Sequence, residues 1–121
     1  MEHLSEREWM VLRALWDSGG ATLGELTRAL YEQTGWSRNT VQTYLSRMQA
    51  KGLVSAGGSG YPRRYRAAQD QDACRAQERD RFLRQVYQGS TGDLVAAFLK
   101  EKSISAQERD ELRRLLDEME V

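Results

Sequence analysis

The apolar positions of the first fifty residues fall into three helical stripes separated by glycines. The first segment opens with LSERE, where Ser5 and Glu8 have the reciprocal spacing that caps a helix start and Leu4 can staple onto Trp9. Trp9, Leu12, Leu15 and Trp16 then share one face, and Gly19 and Gly20 stop the helix. TLGE repeats the box with Thr22 and Glu25, followed by the stripe Leu23, Leu26 and Leu30 and a stop at Gly35. Ser37 is placed to cap a third helix that runs to Gly52.

After Gly52 the period changes. LVSA reads as a short strand, GGSG as a turn and YPRRYRA as a second strand, together a β-hairpin. Pro62 cannot donate to a ladder, so this strand is expected at a sheet edge. Tyr61 and Tyr65 alternate with the arginines, and both are expected to pack inward while Arg64 points out. From Asp70 the pattern is helical again. A long polar segment gains Phe82, Leu83, Val86 and Tyr87 before Gly89 ends it. Ser90 and Asp93 offer a further capping box, followed by Leu94, Val95, Phe98 and Leu99. Ser105 and Glu108 offer another, followed by Leu112, Leu115, Leu116 and Met119.

The third helix has an unusual outer face. At about 100° per residue, Val41, Leu45 and Met48 share the inner face with Tyr44 at its edge. Asn39, Thr43, Ser46 and Ala50 point the other way, flanked by Gln42 and Arg47. Small polar residues let a backbone approach closely, and Asn, Gln and Arg can read base edges in a major groove about 12 Å wide. Arg38, in the first turn, stands beside free N–H groups that attract phosphate. The candidate recognition residues are therefore Arg38, Asn39, Thr40, Gln42, Thr43, Ser46 and Arg47. A solvated surface helix is the bland alternative for this segment taken alone. The order of helix, helix, polar helix and Arg-rich hairpin is that of a winged helix-turn-helix. Arg63, Arg64 and Arg66 of the wing can then meet the DNA backbone or minor groove.

Charge sharpens this picture. The chain of 121 residues has net charge zero, but residues 1–67 carry nine basic and six acidic side chains while residues 68–121 carry nine and twelve. No acid occurs between Glu32 and Asp70, where six cations fall. Sign and period both change near residue 69, which predicts a DNA-binding domain over 1–69 and a helical region over 70–121. The fold class is mainly α with a small β-hairpin. Three short helices with separate stripes cannot close a core of their own, so the second region is expected either to fold back onto the first domain or, the favoured reading, to pair with a second copy.

One cysteine, Cys74, excludes an internal disulfide, and with His3 alone it cannot build a structural zinc site. It reads as an incidental thiol. No cofactor or metal is expected, and no nucleophile–base pair or nucleotide-binding loop points to an enzyme. No apolar run approaches the roughly 20 residues that span a bilayer, and no signal-peptide pattern opens the chain. The expected setting is cytoplasmic, without membrane insertion.

LSEREWMVLRALWDSGGATLGEL, WSRNTVQTYLSRMQAKGLV and FLRQVYQGSTGDLVAAFLKEKSISAQERDELRRLLDEME resemble the penicillinase and methicillin-resistance repressor family (the BlaI/MecI type). The most specific run is W-S-x-x-T-V-x-T-x-L-x-R followed by K-G-L-V. The resemblance implies a homodimeric repressor of a palindromic double-stranded DNA operator, dimerised by its carboxy-terminal helices. It also implies an upstream membrane receptor protease and a cleavage bond at Ala97–Phe98, where Ala97 replaces the Asn of the best-known members. The Cys-rich tail of the copper-responsive branch is absent. A winged helix used as a protein-interaction module is the alternative, and the acid-free stretch speaks against it.

Overall fold

Ser5 accepts a hydrogen bond from the Glu8 backbone N–H, and the Glu8 carboxylate accepts one from the Ser5 N–H, so α1 (Glu6–Ser18) starts where the capping box places it. The computed structural model describes residues 3–58, 60–101 and 103–121. The same reciprocal box at Thr22 and Glu25 opens α2 (Leu23–Thr34), and Ser37 caps α3 (Arg38–Ala50) through the Thr40 N–H. Gly52, with φ of 79°, takes the left-handed conformation that turns the chain out of α3 into the wing.

The sheet has three strands, and β1 (Ala21–Thr22) has no counterpart in the sequence pattern. It pairs antiparallel with β3 (Arg64–Ala67), which also pairs antiparallel with β2 (Val54–Gly57). The spatial order is β1-β3-β2. This corrects two expectations. The second hairpin strand is central rather than an edge, and it begins at Arg64, so Pro62 precedes the ladder. Tyr61 precedes it too and is 93% exposed, while Tyr65 does pack inward. Strand alternation governs Tyr65 but cannot reach a residue outside the strand. The GGSG turn includes Ser59, which lies outside the described residues.

The core gathers the inner faces of α1, α2 and α3 against Val54 and Tyr65 of the sheet. Val11, Leu12, Leu15, Leu26, Leu30, Val41, Leu45 and Met48 are essentially sealed from solvent. Each such side chain contributes roughly 1.5–3 kcal/mol against leaving it exposed. Leu4 is buried in this core, Trp9 packs against the core, and Trp9 and Trp16 meet at a centroid distance of 5.9 Å.

The chain forms two compact units, Met1–Glu78 and Arg79–Val121, with α4 (Gln71–Tyr87) running from one into the other. Asp70 caps α4 through the Ala73 N–H. The first turns of α4 belong to the first unit. Cys74 is buried there, and Glu78 accepts from the Leu4 N–H and meets His3 Nδ1 at 3.0 Å. Burial, reinforced by Asp70 and Glu78, pushes the Cys74 thiol up, so it acts as a small apolar filler.

The second unit carries the rest of α4 with α5 (Thr91–Glu101) and α6 (Ala106–Glu118). Ser105 and Glu108 form their capping box, and Ser90 accepts from the Asp93 N–H. None of the described residues of this unit is buried. Phe82, Val86, Val95, Phe98, Leu99, Leu112, Leu115, Leu116 and Met119 are exposed, while Leu83, Tyr87 and Leu94 are half-buried. No described helix is long and apolar enough to cross a membrane.

Candidate nucleic-acid interface

Helix α3 presents the face its sequence predicts. Val41, Leu45 and Met48 point into the core, each 0% exposed, so Arg38, Asn39, Thr43, Ser46 and Arg47 are left outward. Thr40 and Gln42 are half-buried at the edges of that face. Several polar groups are held in place by the helix itself. Gln42 Nε2 donates to Ser46 Oγ at 3.1 Å, and the Thr43 hydroxyl donates to the Asn39 carbonyl at 2.9 Å. Trp36 stacks on Tyr44 at 4.8 Å and 20°, and the Tyr44 hydroxyl accepts from Arg7 Nη1, which fixes the flank of α3 against α1.

A second tie orients the far end of α3. Lys51 Nζ lies 3.0 Å from Glu8 Oε2, and Glu8 is only 6% exposed. Burial pushes the Glu8 carboxyl up, but the Ser5 N–H, the Lys51 ammonium and the Ser5 hydroxyl outweigh it and hold the group below its ordinary value. The sequence pattern identifies Glu8 only as a capping residue. Its partner stands 43 positions away, and no local signal announces such a pair.

The wing arginines fall into two kinds. Arg64 is engaged: Nη1 donates to Glu25 Oε1 at 3.3 Å and Nη2 to the Gly20 carbonyl at 3.2 Å. Hydrogen bonds from Thr22, with Arg64 and Arg28 beyond them, hold the Glu25 carboxyl below its ordinary value. Arg63 and Arg66 are exposed. Among the described residues, Arg38, Arg47, Arg63 and Arg66 make no ion pair, so four guanidinium charges stand available on one set of elements.

These elements enclose an open cleft of about 290 Å³. One wall is the start of α2 at Thr22–Gly24, another is Arg38 and Gln42 of α3, and the third is Tyr61–Arg63 of the wing. A Cβ on Gly24 would meet Arg38 Nη1 at 3.6 Å, so Arg38 lies against the first turn of α2, beside its free N–H groups. The cleft thus joins two guanidinium groups, a helix N-terminus and an exposed aromatic ring, which suits an extended anionic chain. Among the described residues no group of acids, His and Cys is arranged to hold a metal.

The comparisons with known proteins agree with this geometry. The chain is 27% identical over 115 residues to the penicillinase repressor of Bacillus licheniformis, covering 95% of this chain and 90% of that protein. It is 25% identical over 114 residues to the methicillin resistance regulatory protein MecI of Mammaliicoccus sciuri, covering 94% and 93%. Its fold resembles that of a mutant MarR from E. coli, with a TM-score of 0.52 at 18% identity over 94% of this chain and 76% of that one. The penicillinase repressor family model matches residues 4–118, and the chain belongs to that family.

Proposed function

We propose that the protein is a sequence-specific transcriptional repressor that binds a palindromic operator as a homodimer in the cytoplasm. The observation that carries this reading is the outer surface of α3. It is small, polar and free of acid, with Arg38 and Arg47 exposed on it. In a major groove, Asn39, Gln42, Thr43 and Ser46 would face base edges, with Thr40 at the margin of the same surface. Arg63, Arg64 and Arg66 bring the wing to the flanking backbone, which positions the protein without specifying sequence.

The exposed apolar residues of the second unit support the dimeric part of the reading. A single copy leaves Phe82, Val86, Val95, Phe98, Leu99, Leu112, Leu115, Leu116 and Met119 against water, with Leu83, Tyr87 and Leu94 only partly covered. Pairing two copies covers them and sets the separation of two reading helices, so half-sites should lie one helical turn apart or a multiple of it. In this reading repression ends by proteolysis at Ala97–Phe98, triggered by a receptor protease in the membrane. The bond lies within α5, so cleavage needs that helix to open locally, and it severs the end of α5 and all of α6 from the rest.

Anisotropy titration of a labelled duplex from the chain's own upstream region, with competitor DNA, tests the reading. Tight binding that falls linearly on a log–log salt plot is expected. Replacing Arg38 or Arg47 with Ala should cost about 1–3 kcal/mol where the side chain pairs with a base. Wild-type affinity for both variants at matched salt would refute this use of α3.

A further inference from the structure

The strand register brings three distant groups together at the root of the wing. Thr22 in β1 stands opposite Arg64 in β3. Thr22 is also the N-cap of α2, and its box partner is Glu25. Glu25 Oε1 therefore accepts from the Thr22 N–H at 3.0 Å and from Arg64 Nη1 at 3.3 Å. The other arm of the same guanidinium reaches the Gly20 carbonyl at 3.2 Å. Gly20 leaves little room for a side chain: a Cβ there would sit 3.2 Å from Arg66 Cγ and 3.4 Å from the Tyr65 carbonyl, and its φ of 125° is one that L side chains rarely adopt. The turn between α1 and α2 is thus pressed directly against β3.

Backbone pairing at this junction is short. Among the described residues, the wing joins the rest of the sheet only through the two-residue β1. A planar guanidinium that spans a carboxylate and a carbonyl fixes direction as well as distance, which a single ammonium contact does not. Its charge is also answered locally by Glu25, in contrast to Arg63 and Arg66.

We propose that Arg64 is a positioning residue of the DNA-binding surface. Its guanidinium clamps the wing to the start of α2 through Glu25 and Gly20. It thereby sets where Tyr61, Arg63 and Arg66 meet the DNA, and it carries no phosphate itself. Glu25 is the acidic half of the same device, although an acid near a DNA-facing surface would ordinarily weaken binding. The proposal rests on the DNA-binding reading above and changes the role given to one of its three wing arginines.

Salt dependence separates positioning from phosphate contact. The full chain is titrated into a labelled duplex of its own upstream region from about 50 to 200 mM salt. Arg63→Ala should flatten the log–log slope by about one, the signature of a lost phosphate contact. Arg64→Ala and Glu25→Gln should each weaken binding by about two- to fivefold, the range of an exposed ion pair, with the slope of the wild type. Gln at position 25 keeps an oxygen for the Thr22 N–H, so α2 retains its cap. The double variant should bind no worse than Arg64→Ala alone. A flattened slope in Arg64→Ala, tighter binding in Glu25→Gln or additive losses would each overturn the proposal. If the wild type binds no duplex, the repressor reading fails and the clamp is judged by amide exchange. Faster exchange at the β1–β3 pairing in Arg64→Ala then supports it, and unchanged exchange refutes it.

Discussion

Leu45 in α3 and Leu116 in α6 are the same side chain on helices of 13 residues each, yet Leu45 is 0% exposed and Leu116 is 63% exposed. Both helices are amphipathic, and both begin on a serine cap. What differs is the company. In the first unit three stripes and a sheet converge on one core, so each stripe is covered by the others. In the second unit the stripes of α5 and α6 bury none of their described residues. Amphipathic pattern therefore specifies that a face must be covered, not by what. The first unit answers within one chain, and in our account the second answers with another copy.

The comparison breaks most visibly in the core. Leu45→Ala should cost about 2–5 kcal/mol of stability in urea unfolding, at every protein concentration. A loss at Leu45 well under 1 kcal/mol would mean that the first unit does not close as a core.

The next effect concerns Glu8, a buried acid of that unit. Its folded value lies below the ordinary 4.5, so it contributes stability above pH 4.5 and loses it as pH falls through the lower folded value. Glu8→Gln should therefore cost about 1–3 kcal/mol at neutral pH, the scale of a hydrogen bond to a charged group. The difference from wild type should shrink on the acid side. A constant difference from pH 7 to pH 3 would show that the ionised carboxylate gains nothing from its Ser5 and Lys51 partners.

Local chemistry was legible in the sequence, and non-local pairing was not. Of the four boxes that three-residue spacing announces, Ser5–Glu8, Thr22–Glu25 and Ser105–Glu108 form, while at Ser90–Asp93 only the bond from the Asp93 N–H to the Ser90 hydroxyl is made. The inner face Val41, Leu45 and Met48 follows from helical periodicity and is buried as read. The two-residue strand β1 carries no period, and its partner Tyr65 lies in the wing. The edge expectation for β3 rests on counting Pro62 into the strand, whereas β3 starts at Arg64 and pairs on both sides. Alternation places Tyr65 but not Tyr61, because the strand begins at Arg64 and Tyr61 lies before it. The clamp of Arg64 on Glu25 and the tie of Lys51 to Glu8 join residues 39 and 43 positions apart, and only the folded chain brings them together.

The smallest predicted effect sharpens the contrast between the two units. Leu116→Ala should leave the stability of the first unit within about 0.5 kcal/mol of wild type, since Leu116 is no part of its core. Its signature should be a dimer that dissociates at a higher protein concentration than the wild type, as expected when a side chain of the contact between copies is truncated. A concentration-independent loss equal to that of Leu45→Ala would show that Leu116 is covered within a single chain.

Sedimentation equilibrium of the full chain beside Phe98→Asp tests the central claim most directly. Phe98 is 53% exposed on α5 in a single copy, so the substitution should leave the first unit folded while placing an unpaired charge in the proposed contact between copies. The account predicts a dimer for the wild type at micromolar concentration. It predicts a monomer for Phe98→Asp, with the unfolding transition of the first unit retained. A wild-type monomer, or a Phe98→Asp protein that remains dimeric, would contradict it.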